Sequence, residues 1–378
     1  MPERLLTLEG KKNVKRLFDV IVDTAVCSGC GGCVVICPVD ALTYDVFSPE
    51  GREIDLPVVL DNCIDCVLCM KACPRLDYEY ENLDKHTYAG VEDELIKNDI
   101  WGDYLEIVAA RATDERVLQV GQDGGVVTAL IAWGMRKGHF DGALTGERDE
   151  RWMMHPKIVR TIDELLACAG SGYTYTPNSL ALREAAASGL ERIVFVGVPC
   201  EISAVRKLEI AKSKRGKELT KNVALQIGLM CSETFTYDGF MVGKLQNELG
   251  IRLEDIGKIN VKGKVLVYMK SGEVITVPLK QARPYAREGC HYCQDFGAEY
   301  ADISVGGLGG EGWTITVLRT KRGRDLFYEA VRDGVLEVQG TENFAFQVSL
   351  LEKLAAKQRA RPNRKGEHEH AATAADGG

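Results

Sequence analysis

The chain has no uninterrupted apolar stretch near the roughly 18 residues that cross a bilayer. Its first residues, Met1 to Lys15, carry charge throughout and lack the apolar centre of a signal peptide. Basic residues are not in excess either. The 47 Lys and Arg face 55 Asp and Glu, a formal net charge of −8, which argues against a nucleic-acid partner, whose phosphates require a basic face. The expectation is a cytoplasmic protein without a transmembrane segment, with peripheral docking on a membrane complex left open. What remains is ordinary for a soluble globular chain: 45% apolar and 27% charged residues. Its length of 378 residues allows about two or three domains and a core able to enclose a cofactor.

The 13 cysteines are the exception. In a chain of this kind they read as metal ligands in a reducing compartment, not as disulfides, and oxygen sensitivity follows. The pattern C-x-x-C-x-x-C-x-x-x-C-P occurs twice, as Cys27, Cys30, Cys33, Cys37-Pro38 and as Cys63, Cys66, Cys69, Cys73-Pro74. This is the spacing of bacterial two-cluster ferredoxins, in which the fourth cysteine of each run serves the other cluster. It assigns one [4Fe-4S] to Cys27, Cys30, Cys33 and Cys73, and a second to Cys63, Cys66, Cys69 and Cys37. Gly29, Gly31 and Gly32 suit a loop folded tightly round a cluster. Zinc knuckles or a disulfide framework are the bland alternatives, but zinc rarely uses two complete runs with Pro after each fourth cysteine.

Taken in order, Val14, Leu17, Phe18 and Ile21 have the spacing of a short lead-in helix. Leu42 to Tyr44 and Leu56 to Leu60 flank the turn signal Ser48-Pro49-Glu50-Gly51, which reads as a hairpin. The expected domains are a ferredoxin-type unit over 1–80, an acidic linker over 81–104, an α/β unit over 105–360 and a disordered tail over 361–378, where His368 and His370 are poor metal candidates. Tyr78, Tyr80 and Trp101 are the expected anchors near the linker. The fold class is thus α/β (α+β): a bacterial-type two-cluster ferredoxin domain followed by an α/β domain.

In the second unit, Ile107 to Ala110 reads as a strand, and Gly124-Gly125 opens a helix through Thr128 and Leu130. A helix start of this kind offers amides and a positive dipole end to a phosphate or flavin carbonyl, although Gly-Gly is as often a plain turn. The loop Ala169-Gly170-Ser171-Gly172-Tyr173 through Asn178 is small and polar enough for a planar ligand, or is a surface loop. Arg192 to Val198 and Val223 to Met230 read as buried strands that end at Pro199-Cys200 and at Cys231. Lys258 to Leu279 turns at Lys270-Ser271-Gly272, and Cys290-His291-Tyr292-Cys293 adds a C-x-x-C. Cys200, Cys231, Cys290 and Cys293 can therefore hold a third [4Fe-4S]. Spacing alone leaves open a zinc site, with His291 as a further ligand, and a nucleophilic Cys200. Cys168 reads as a buried structural thiol. Ala301 to Thr316 is a strand, a Gly-rich loop and a second strand; Arg324 to Asp333 and Gln347 to Arg359 read as helices.

These residues resemble a known family, the flavin-containing beta subunit of coenzyme F420-reducing hydrogenase and its relatives. The resemblance lies in Gln122-Asp123-Gly124-Gly125 to Ala129-Leu130, Gly170-Ser171 with Tyr173, Val198-Pro199-Cys200, Cys231 with Glu233, Cys290-x-x-Cys293, and Ala301-Asp302-Ile303-Ser304 through Gly312-Trp313-Thr314. It covers about residues 104 to 358, and the preceding two-cluster unit resembles the electron-input subunit of reduced-F420 dehydrogenase complexes of methanogenic and related archaea. The resemblance implies FAD beside Gln122, Gly124, Gly125, Thr128, Gly170, Ser171, Tyr173 and Asn178, a cluster on Cys200, Cys231, Cys290 and Cys293, coenzyme F420 as hydride partner, and hydrogenase, dehydrogenase or other redox subunits as partners. Hydride transfer between flavin rings does not demand a dedicated acid or base from the protein, and no catalytic residue is assigned. One departure stands out: the family commonly carries Lys where this chain has Gly172. Three rival functions are a ferredoxin-dependent reductase of another conjugated, chlorophyll-type substrate, a non-catalytic electron-transfer subunit and a zinc-stabilised structural module.

Overall fold

Strand Ile193–Gly197 (β6) shows how the second unit is built. Ile193 and Phe195 enter one apolar cluster and Val194 and Val196 another, the period-two alternation of a strand buried on both faces. The computed structural model describes residues 8–43, 56–76 and 80–362. With β1 (Leu42–Thr43) and β2 (Val58–Val59) forming a two-stranded ribbon, the remaining strands are β3 (Glu106–Ala112), β4 (Gly142–Arg148), β5 (Met154–Val159), β7 (Val223–Leu229), β8 (Ile256–Val261), β9 (Lys264–Met269), β10 (Val274–Pro278), β11 (Ile303–Gly306), β12 (Thr314–Leu318) and β13 (Leu336–Gln339).

Eight strands form one sheet in the order β13-β3-β12-β11-β7-β6-β4-β5. Its centre, β11-β7-β6-β4, is parallel, and β12, β13 and β5 run against their neighbours. Helices Val126–Lys137 and Lys321–Arg332 cover one face, and Pro199–Ile210 with Lys214–Thr220 covers the other, giving three layers. Caps fix the helix ends. Thr161 and Glu164 make a capping box on Ile162–Cys168, Thr320 caps Lys321–Arg332, and Gly138 closes Val126–Lys137 in the left-handed region. The three-stranded sheet β10-β9-β8 is antiparallel.

The N-terminal cysteine unit is small and uses its thiols as core: Cys37, Cys69 and Cys73 pack with Phe18, Ile21, Val34 and Met70. The lead-in helix Lys12–Leu17 continues as a π-helical turn to Val22. The turn at Ser48 to Gly51 lies outside the described residues, as do Tyr44, Tyr78 and the tail from 363 on. Within the segment read from sequence as a linker, Tyr80–Thr87 is a helix, Leu83 is fully buried and Trp101 is 3% exposed. The buried Arg319 holds the end of this segment by donating to the carbonyls of Trp101 (2.8 Å) and Asp103 (2.7 Å).

Candidate functional site

The parallel centre brings the C-terminal ends of β4, β6, β7 and β11 to one edge of the sheet, where ligands of open α/β folds collect. Adjacent strands β6 and β7 lead into Cys200 and Cys231 there. Cys200 opens helix Pro199–Ile210, whose Glu201 accepts from the amides of Val198 (3.0 Å) and Asn178 (2.5 Å). Burial pushes that carboxyl up to about 8, against the two amides. The amide of Cys231 donates to Phe296 O at 3.1 Å, and Cys290 and Cys293 come from the turn beginning at Glu288. The far end of the chain seals this group. Gln358 donates to Cys231 O (3.1 Å) and Asp295 O (2.7 Å), and Arg361, where the sequence reading begins the tail, donates to Ser232 O (2.9 Å) and Cys290 O (2.7 Å).

Burial raises the Cys231 thiol well above its ordinary value, and the charges of Cys290 and Cys293 act in the same direction. Cys200 is likewise raised by burial, then by Cys293 and by Cys30 of the N-terminal unit. In that unit Cys33 is raised by burial and then by Cys30, Cys27 and Cys73, while Cys69, pushed up to about 12 by burial, senses Cys66, Cys63 and Cys37. Among the described residues no three of His, Cys, Asp and Glu close on a single ion. His291 is exposed. Cys168 is 5% exposed in the Ile162–Cys168 helix.

The N-terminal unit seats itself on this edge through close backbone contacts. A Cβ on Gly289 would fall 2.1 Å from Cys27 O, and one on Gly31, at φ +78°, would fall 2.6 Å from Ser179 Oγ. Arg75 donates to Gly289 O (2.9 Å) and Tyr292 O (3.0 Å), and the fully buried Lys207 donates to Cys73 O (2.8 Å) and Leu76 O (2.5 Å). Tyr175 Oη donates to Gly29 O, and the Arg287 guanidinium lies 3.6 Å from the Tyr175 ring centroid.

The residues read as flavin contacts separate into two groups. Gln122 and Tyr173 meet β8: Gln122 Nε2 donates to Asn260 Oδ1 (2.7 Å), and Tyr173 Oη accepts from Val261 N (3.2 Å). Tyr173, at φ +59°, is pushed up to about 12 by burial, and its Oη accepts from Gln122 Nε2 at 3.3 Å. Ser171 hydrogen-bonds Tyr173. Asn178 sits instead near the ends of β4 and β6; its Nδ2 donates to Val196 O (3.1 Å), while its buried Oδ1 lacks a partner, as do Gln122 Oε1, Thr174 Oγ1 and Thr176 Oγ1. Thr128 is buried in the first turn of its helix.

Gly124 has a structural reason for lacking a side chain, because its Cβ would lie 2.6 Å from Ala110 O and 2.9 Å from Thr314 N. The Gly-rich loop after β11 likewise packs on protein, with Gly307 against the Asp123 carboxylate. At Gly172 the space is filled: a Cβ would meet Met154 Sδ at 2.1 Å and Cγ at 2.7 Å. Sequence reasoning missed Met154 and the β8 residues Lys258 and Asn260; the alternation from Lys258 onward marked a hairpin but not which loop it covers.

A cavity of about 580 Å³ borders Cys200 and Cys293, between the cysteine groups and the 84–103 segment. None of the eight flavin candidates lines it. Its wall has more carboxylates, among them Asp84, Asp295 and Glu299, than cations, which suits a phosphate-bearing cofactor poorly.

Three family models match the chain. One is described as "4Fe-4S dicluster domain" and matches residues 26–75; the other two describe the beta subunit of coenzyme F420 hydrogenase/dehydrogenase, its N-terminal part over 107–183 and its C-terminal part over 190–343. The coenzyme F420 hydrogenase subunit beta of Methanosarcina barkeri is 35% identical over 275 residues, 72% of this chain and 94% of that one. One subunit of the F(420)H(2) dehydrogenase of Methanosarcina mazei is 30% identical over 320 residues, covering 83% and 84%. A chain of the F420-reducing [NiFe] hydrogenase complex from Methanosarcina barkeri superimposes with a TM-score of 0.68 at 33% identity, covering 72% of this chain and 94% of that chain. With these matches spanning both units, the chain belongs to the coenzyme F420 hydrogenase/dehydrogenase beta-subunit family and carries an N-terminal 4Fe-4S dicluster domain.

Proposed function

We propose that this chain is an iron–sulfur flavoprotein subunit that exchanges a hydride between coenzyme F420 and FAD and passes single electrons to or from a partner redox complex. The observation that carries the reading is the packing of the cysteine groups on one another: adjacent strands β6 and β7 lead into Cys200 and Cys231, and the turn carrying Cys290 and Cys293 packs on the dicluster unit, where a Cβ on Gly289 would lie 2.1 Å from Cys27 O and Arg75 donates to Gly289 O and Tyr292 O. Continuity of this kind is what an electron path requires.

When bound, FAD supplies the conversion between two-electron and one-electron chemistry that a deazaflavin and iron–sulfur clusters cannot perform together. The chain's own residues do the rest. In this reading Cys27, Cys30, Cys33 and Cys73 hold one cluster, Cys63, Cys66, Cys69 and Cys37 the second, and Cys200, Cys231, Cys290 and Cys293 a third. The chemistry of the donors fits, since thiols raised by burial and then by one another's charge give up that cost when iron takes the thiolates. Four enclosed oxygens without partners, on Gln122, Thr174, Thr176 and Asn178, fit the donors of a hydroxylated, N–H-bearing cofactor. Gln358 and Arg361 close the C-terminal side of the third group against water, and Arg75 and Lys207 pin the dicluster unit to it.

The test is anaerobic mixing of the purified chain with reduced F420 and a viologen dye. Rapid dye reduction that disappears in Cys231→Ser supports the reading. Clusters that bleach with dithionite but stay oxidised, with no dye reduced, on mixing with reduced F420 reject the deazaflavin step.

A further inference from the structure

Two cations on the site edge are held by backbone carbonyls. Lys258, half-buried on β8, donates to Gly121 O at 3.0 Å. Arg148, half-buried at the end of β4, donates to Ala169 O at 2.7 Å and lies 5.2 Å from the Trp152 ring centroid. Neither makes an ion pair among the described residues. Asp123, the carboxylate that acts on Lys258, is engaged by Lys262 at 3.1 Å. Burial pulls both Arg148 and Lys258 below their ordinary values, and the charges of Lys262 and then Arg148 lower Lys258 further. Holding two like charges in a partly dry wall is unfavourable unless an anion joins them.

The two groups lie against one stretch of backbone, residues 120–121. Lys258 is on the Gly121 carbonyl, and a Cβ on Gly170 would lie 3.3 Å from Arg148 Nη1 and 3.4 Å from the neighbouring Val120 O. Helix Val126–Lys137 opens at the same loop behind Gly125, at φ +66°, without a side-chain cap, so its first amides face the entry of the helix. Gln122 Oε1, enclosed and without a partner, adds an acceptor for an O–H or N–H of whatever enters. Gly172 cannot contribute a cation here, because Met154 fills its side-chain space.

We propose that Arg148 and Lys258 form a phosphate subsite between the 120–125 loop, the 169–173 loop and β8, holding either the pyrophosphate of the flavin dinucleotide or the phosphodiester of the deazaflavin. The subsite follows from the cations and loops; the owner of the phosphate rests on the functional reading above. A planar Arg fork and a Lys point charge together are a common way to hold phosphate.

Its test uses the full chain, cluster-reconstituted without added flavin, in equilibrium dialysis with inorganic pyrophosphate at low salt. Saturable binding is expected, weakened about tenfold in Lys258→Met and in Arg148→Met and kept in Lys258→Arg. Met retains the apolar stem, and unchanged thermal unfolding of the variants verifies the fold. Absent binding, or equal binding by the wild type and both Met variants, overturns the subsite. Fluorescence titrations then identify the owner. FAD weakened about tenfold by Lys258→Met with riboflavin unchanged assigns the flavin phosphate; FAD unchanged, with KM for reduced F420 raised about tenfold at constant kcat, assigns the deazaflavin. A wild-type chain that binds pyrophosphate but no flavin keeps the subsite and rejects the functional reading.

Discussion

Asp302 is fully buried and accepts from Gln226 N (2.7 Å), Thr320 Oγ1 (2.7 Å) and Arg322 Nε (2.7 Å), with Arg206 Nη2 at 3.0 Å. Burial alone would raise its carboxyl, but Arg206 and Arg322 outweigh that and hold it at about 2. Asp302→Asn takes the anion from Arg322 and leaves Arg206 with Glu209 alone, and is expected to cost about 3–5 kcal/mol in urea unfolding; a loss of under about 1 kcal/mol would contradict the account. The sign of the pH effect follows. A depressed carboxyl contributes its full stability above the unfolded value of about 4 and loses it as pH falls through about 2. Acid titration of wild-type stability should therefore show a decline in that window which Asp302→Asn lacks. Gly172 offers a second test at this scale. Gly172→Lys should destabilise by about 1–3 kcal/mol, and Met154→Ala in the same chain should recover most of it, because Met154 holds the space. Additive effects of the two substitutions would show that they do not share a site.

At the scale of elements, the turn beginning at Glu288 is held against the dicluster unit by a contact that tolerates no side chain. Gly289→Ala places a methyl 2.1 Å from Cys27 O, so the turn or the unit must move. Thermal unfolding is expected to split, the N-terminal unit melting several degrees before the sheet; an unaltered single transition would refute that seating. Much of this architecture was legible. Near-continuous apolar runs gave the strands ending at Cys200 and Cys231, and their adjacency in a parallel sheet is what makes those two cysteines neighbours. The Gly-Gly before Val126 does open a helix, yet Gly124 is small because two strands crowd it, which no local pattern signals. Strands β4 and β5 and the packing of Tyr80–Thr87 escaped notice because their polar faces mask the periodicity. Which loop the β8 sheet covers is a long-range fact, and with it went Lys258 and Asn260.

For the whole molecule, the dicluster unit draws part of its core from Cys37, Cys69 and Cys73, whereas the eight-stranded sheet is filled by side chains on both faces. Oxidative removal of iron with a chelator should thus open the 26–76 region to proteolysis and hydrogen exchange while the sheet stays protected. Retained protection of that region in the iron-free chain would show that it folds without metal. Among the described residues no helix is long and apolar enough to cross a membrane.

The central claim is that Cys200, Cys231, Cys290 and Cys293 hold a cluster between the flavin loop and the dicluster unit. The most direct measurement is iron, sulfide and flavin per chain after anaerobic purification, in the wild type and in Cys231→Ser. About twelve irons with one FAD, falling to about eight irons in the variant, is the result this account predicts. About eight irons in both proteins, with or without flavin, would contradict it.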